Sequence, residues 1–126
     1  MPHMMNRAVE EFKTAIFYNP ESAQLHYNFG VLLGNSPNYI NGSIEQYTES
    51  LKLNHDYIEA HTGLGFILSH IPSKKNEAMS HFKAALKLNL NLAIAHFNLA
   101  VLLDDTQANK DEIRVHLNTA IRLTQI

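Results

Sequence analysis

His26-Tyr27-Asn28-Phe29-Gly30-Val31-Leu32-Leu33 decides how this chain is read, because its pattern returns downstream as His96-Phe97-Asn98-Leu99-Ala100. His61 lies between the two, so His26, His61 and His96 follow one another at intervals of 35 residues. The same step carries Gly30 to Gly65 to Ala100 and Leu33 to Leu68 to Leu103. Extended one period towards the N-terminus, it joins Phe12, Tyr47, Phe82 and Leu117; Ala15, Ser50, Ala85 and Ala120; Ile16, Leu51, Leu86 and Ile121; and Tyr18, Leu53, Leu88 and Leu123. Self-similarity at a fixed period in the range of 20–50 residues marks a repeat architecture, in which each unit covers its neighbour's apolar side.

Within each period, apolar residues recur at three- and four-residue spacing and the pattern is broken twice, which predicts two amphipathic helices per unit. Helices are expected over residues 6–18, 22–35, 41–53, 57–70, 76–88, 92–104 and 111–123. Asn6, Asn41, Asn76 and Asp111 fall one period apart before each second helix and are expected as N-caps, with Glu21, Asp56 and Asn91 at the equivalent place before the first helices. Asn19-Pro20, Ser36-Pro37 and Ile71-Pro72 mark turns. Met1-Pro2-His3-Met4 has the look of an expression-vector scar and is set aside, leaving a single domain over residues 5–126. That domain divides into a half unit at 5–20 and three full units at about 21–55, 56–90 and 91–126, so both ends look cut from something longer. The last helix keeps Leu117, Ile121 and Leu123, an apolar flank suited to stacking on another chain.

Composition narrows the function classes. The formal net charge is -2, with Lys and Arg scattered, which leaves no electrostatic footprint for nucleic acid or an anionic membrane. There is no Cys, which removes thiol catalysis and thiolate metal sites. No apolar run approaches a membrane span of about 18 residues, and no signal peptide is visible, so a cytoplasmic location is the default.

The stretch from His26 to Leu33, followed by Ser43-Ile44, Tyr47, Ser50-Leu51 and Leu53-Asn54, resembles the tetratricopeptide consensus, and the copy at His96–Ala100 does too. The resemblance covers residues 6–124 and implies an all-α fold, a right-handed superhelical solenoid of helix-turn-helix repeats. Units are one residue longer than usual in the family; His stands for the consensus Trp, Leu for the consensus Tyr, Ile113 for a small residue, and the inter-repeat Pro survives only as Pro20. Gly30, Gly65 and Ala100 are expected to let paired helices approach, with the aromatic or Leu of the second helix filling the space beside Ala15, Ser50, Ala85 or Ala120.

What the resemblance implies for function is a protein-protein interaction scaffold, with the first helix of each unit lining a concave groove. Transferred by position, that groove shows Gln24, Tyr27, Asn28 and Val31, then Glu59, Thr62 and Phe66, then Ile94, Phe97, Asn98 and Val101. Apolar residues with amide punctuation suit an extended peptide or a helix. Asn28 and Asn98 match the backbone-reading Asn ladder of O-linked N-acetylglucosamine transferase arms, although Gly63 interrupts it. The carboxylate clamp of some family members is disfavoured, because Tyr27, Val31, Gly63 and Ile94 stand where it needs cations and Asn. Self-assembly through exposed repeat flanks and a role as the regulatory arm of a larger enzyme remain as alternatives.

Three in-phase histidines suggest a metal, but stacked helices about 8–10 Å apart cannot bring them to one ion at about 2.0–2.1 Å. His26, His61 and His96 are therefore expected to serve packing, and His55, His70, His81 and His116 to lie in turns or on the surface. Phosphate-loop, nucleophile-elbow and zinc-protease motifs are all absent, and Asp104-Asp105 has the spacing of an ordinary helix end. Neither a catalytic site, a metal nor a cofactor is expected. RNA binding of the pentatricopeptide kind shares the 35-residue period, but the proposed groove positions hold no Lys or Arg.

Overall fold

The computed structural model describes residues 2–105 and 110–125. Every regular element among them is helical: α1 (Pro2–Tyr18), α2 (Ala23–Gly34), α3 (Ile40–Leu53), α4 (Ile58–Ser69), α5 (Lys75–Leu88), α6 (Ala93–Asp105) and α7 (Lys110–Thr124), with 3₁₀ turns at Pro37–Tyr39 and Pro72–Lys74. The seven expected helices are thus the seven observed, two per period. The chain forms two compact units, Met1–Gly63 and Leu64–Ile126, with the boundary inside α4.

The helix starts differ from expectation. α1 reaches back to Pro2, so residues set aside in the sequence reading belong to the helix, and Met5 packs on the core formed by Val9, Phe29 and Leu33. Proline is tolerated there because the first-turn N–H has no intrahelical acceptor. Asn6, Asn41, Asn76 and Asp111 are not N-caps. Each lies inside its helix, since Tyr39 and Lys74 precede α3 and α5 and the 3₁₀ turns begun by Pro37 and Pro72 feed directly into them. Nor do Glu21, Asp56 and Asn91 cap. Ser22 caps α2, its hydroxyl accepting the Leu25 N–H at 3.1 Å, a bond worth about 0.5–2 kcal/mol over Ala. Before α4 and α6, the side chains of Asn54 and Asn89 instead accept the N–H groups of Asp56 and Asn91 at 3.0 and 2.9 Å, shaping equivalent turns.

Within the first unit, α2 and α3 form a tight pair. A Cβ on Gly30 would lie 3.0 Å from the Tyr47 ring, so the glycine is what admits the aromatic. Two buried hydroxyls fasten the same pair, Ser43 donating to the Gly30 carbonyl at 2.7 Å and Ser50 to the Ala23 carbonyl at 2.8 Å. Phe12 of α1 stacks on Phe29 of α2 with ring centroids 5.3 Å apart.

In the second unit the device repeats with other residues. A Cβ on Gly65 would meet Phe82 at 3.0 Å, and Phe82 is fully buried. Ala78 and Ala85, one period after Ser43 and Ser50, are fully buried without hydroxyls to satisfy. At the next equivalent positions, Ala100 is buried and Leu117 half-buried.

Candidate partner-binding faces

The first helices present the expected residues, though not all as expected. On α2 of the first unit, Gln24, Tyr27, Asn28 and Val31 share one face by their three- and four-residue spacing. Gln24, Asn28 and Val31 are exposed. Tyr27 is half-buried because it stacks on Tyr57 (centroids 5.2 Å apart) and leans on Tyr47 at 5.9 Å. Glu59 is exposed, and the Thr62 hydroxyl donates to the Glu59 carbonyl at 3.0 Å.

In the second unit, Ile94, Phe97 and Val101 make an exposed apolar stripe on one face of α6, at 61%, 53% and 46% of full exposure. Phe66 is half exposed and meets the His70 ring edge-on at 4.8 Å. Large apolar side chains exposed together on one helix face are what a solvated surface usually avoids.

The amide ladder is less available than its sequence suggests. The Asn98 side chain is half-buried and its Nδ2 donates to the Ile94 carbonyl of its own helix at 2.8 Å, whereas Asn28 is exposed. Gly63 has a steric reason to break the ladder: a Cβ there would stand 2.8 Å from Tyr47 Cε1 and Cζ. Any Asn at position 63 would displace that ring.

Tyrosines enrich the first unit in a way the sequence reading missed. Tyr57 shares its repeat position with Ser22 and Leu92, so periodicity carried no signal for it. Burial first, then Tyr27, pushes the Tyr47 hydroxyl up to about 12. Tyr27 is raised by burial and then by the Glu59 carboxylate, and Tyr57 by burial, then Glu59 and Tyr27. All three phenols stay neutral donors near neutral pH.

The in-phase histidines are structural pins. His26 Nε2 meets the Pro20 carbonyl at 3.0 Å, His61 Nε2 the His55 carbonyl at 2.9 Å and His96 Nε2 the Leu90 carbonyl at 2.8 Å. Each imidazole N–H closes the turn six residues upstream. His55 and His70 are exposed, as expected. His81 and His116 are half-buried, and His116 is no surface residue: its Nδ1 lies 2.9 Å from His96 Nδ1. Among the described residues no cluster of three or more His, Asp or Glu could hold a metal ion, and no helix is long and apolar enough to cross a membrane.

Two open clefts lie away from the predicted groove residues. One of about 200 Å³ is lined by Ala8, Glu11, Phe12, Ala15 and Leu25 in the first unit. The other, about 680 Å³ in the second unit, is lined by Lys83, Lys87, Leu86, Leu90, Leu99 and His116 among others.

These helical pairs, with Gly30 facing Tyr47 and Gly65 facing Phe82, define an all-α helical-repeat fold of the tetratricopeptide kind. Solved structures share it. A crystal structure of MamA matches with a TM-score of 0.84 at 17% identity, over 94% of this chain and 68% of that one. Another MamA crystal structure gives 0.85 at 19% identity, over 97% of this chain and 65% of the other. YrrB, described as a TPR protein with an unusual peptide-binding site, gives 0.80 at 23% identity, over 98% of this chain and 62% of its own length. No protein-family profile and no curated protein sequence matches the chain.

Proposed function

We propose that this chain is a protein-interaction scaffold with no catalytic role, which takes an extended peptide or a helix of a partner protein against the exposed faces of its first helices. The observation that carries this reading is the Ile94, Phe97 and Val101 stripe on α6, apolar side chains one turn apart and open to solvent. Apolar anchors at such spacing supply area to a partner, while exposed Asn28 and Gln24 on α2 can pair with a peptide backbone in both directions. The likeness to YrrB, itself described as having a peptide-binding site, supports the reading at the level of fold. The family resemblance implies Gln24, Tyr27, Asn28, Val31, Glu59 and Thr62 as partner-facing residues in the first unit, and Phe66, Ile94, Phe97, Asn98 and Val101 in the second.

The test is capture of partners from source lysate by the wild-type chain and by Phe66→Asp/Phe97→Asp. Both positions are exposed, so the doubly substituted chain should keep its helical content and melting point while losing the captured protein. Undiminished capture would move the binding surface elsewhere.

A second reading, self-assembly, rests on Phe17 and Tyr18 at the end of α1, 78% and 80% exposed, and on Val115 and Ile121 of α7, 61% and 53% exposed. Light scattering over a concentration series decides it. A mass that stays at one chain removes this reading.

A further inference from the structure

His96 of α6 and His116 of α7 meet through their Nδ1 atoms at 2.9 Å, which restricts where protons can sit. His96 Nε2 lies 2.8 Å from the Leu90 carbonyl, an acceptor only, so this nitrogen carries the hydrogen and donates it. Neutral His96 then offers a bare Nδ1, and the short contact requires His116 to donate its Nδ1–H to it. His116 Nε2 is left bare, 3.9 Å from the Glu112 carboxylate on the same helix.

One added proton fits this arrangement. It enters on His116 Nε2, faces Glu112, and leaves the Nδ1 contact intact. A second proton has only His96 Nδ1 to occupy, and there two N–H groups would point at each other across 2.9 Å between two positive rings. The surroundings add cations, since Lys83 of α5 raises the cost of charging His116 and Lys87 lines the same cleft. Burial is the largest cause holding His116 below the usual imidazole range, followed by His96; Glu112 pulls the other way and Lys83 adds to the lowering.

The first unit supplies the comparison within the same chain. His26 stands two periods before His96 and pins the Pro20 carbonyl at 3.0 Å in the same manner, but its Nδ1 meets the Gln46 side-chain amide at 2.7 Å, and Gln46 stands two periods before His116. A primary amide can turn its oxygen or its NH₂ to the ring, so this pair accommodates neutral and charged histidine alike. The two units build the same contact with different partners, an amide that can turn either group to the ring and a second imidazole that cannot.

We propose that the His96–His116 pair is a proton-operated latch between α6 and α7, holding with at most one added proton and loosening the last helix when both imidazoles become charged. The sign follows from linkage. An unfolded or undocked segment binds protons on both histidines near the ordinary value of about 6.5, whereas the latched pair accepts fewer, so docking of α7 is at full strength above that value and weakens as pH falls. Each proton bound in excess by the open form lowers the docking equilibrium about tenfold per pH unit. The apolar residues of α6 that α7 covers would be uncovered in mildly acid surroundings.

The experiment measures hydrogen exchange of amides in residues 110–124, corrected for the intrinsic pH dependence, in the wild-type chain, His116→Gln and Gln46→His. In the wild type, protection should fall about tenfold further than in His116→Gln for each pH unit between about 6 and 5. Gln46→His should install comparable acid sensitivity in residues 23–34 and 40–53. Equal pH dependence in all three proteins would overturn the proposal. If His116→Gln does not fold, nitrogen NMR of the wild type decides: hydrogens on His96 Nε2 and His116 Nδ1 at pH 8, with two separated titration steps, sustain it. A hydrogen on His116 Nε2 at that pH, or one shared ordinary titration, refutes it.

Discussion

A Cβ on Gly63 would sit 2.8 Å from the Tyr47 ring, closer than any real Cβ tolerates, so Tyr47 occupies space that two glycines, Gly30 and Gly63, leave open. One aromatic residue thereby fixes the identity of two positions on two different helices.

Substitution of Gly63 by Ala should destabilise the first unit by about 1–3 kcal/mol through overpacking. Shrinking the ring should relieve it: Tyr47→Leu puts at this position the residue that stands two periods on, Leu117. The double variant Gly63→Ala/Tyr47→Leu should therefore lose less than the sum of the single losses. Urea unfolding of the four proteins measures the coupling, and simple additivity would contradict the packing argument.

Gly65→Leu should cost the second unit about 1–3 kcal/mol, because its Cβ alone already presses on Phe82, which is fully buried and has nowhere to move. A melting temperature equal to the wild type would be inconsistent with this contact.

Ser43→Ala and Ser50→Ala each delete a buried hydroxyl that donates to a carbonyl of α2. Losses of about 0.5–1.5 kcal/mol apiece are expected, small because the freed carbonyls sit in a helix and alanine is already accommodated at the equivalent Ala78 and Ala85. A loss several times larger would show that the hydroxyls set the register of α2 on α3.

Tyr47 makes alkaline stability testable. Its hydroxyl is raised to about 12, above the unfolded value of about 10, so the folded state holds a proton that the unfolded state loses. The resulting stabilisation is fully present below about pH 10 and disappears as pH rises through about 12. Tyr47→Phe should keep the ring in place and abolish that part of the decline, and absorbance titration of the phenolate should lose its latest-ionising component.

Much of this was readable in the chain before any coordinates. The 35-residue step predicted seven helices and close approach of paired helices at Gly30 and Gly65, because period and side-chain size are local properties repeated in phase; that the rings of Tyr47 and Phe82 are what lie against those glycines came from the structure. Helix starts were less legible. Asn6, Asn41, Asn76 and Asp111 have capping chemistry, but the 3₁₀ turns at Pro37 and Pro72 carry the backbone into helix before Asn41 and Asn76 are reached, and α1 begins at Pro2. For the candidate binding faces, Ile94, Phe97 and Val101, placed in a groove by the family resemblance alone, are exposed on α6. The Tyr27–Tyr57 stack and the turning of Asn98 onto its own helix were invisible, since neither repeats along the chain.

By itself the sequence determined the helices and their order in pairs, since periodicity and the alternation of large and small residues repeat in phase along the chain. Only the tertiary structure decided what the histidines do. A lone imidazole in a sequence has two nitrogens and no fixed partner. Once α6 and α7 pack, His96 is caught between a carbonyl and His116, and the hydrogen-bonding capacity of two rings leaves room for one extra proton.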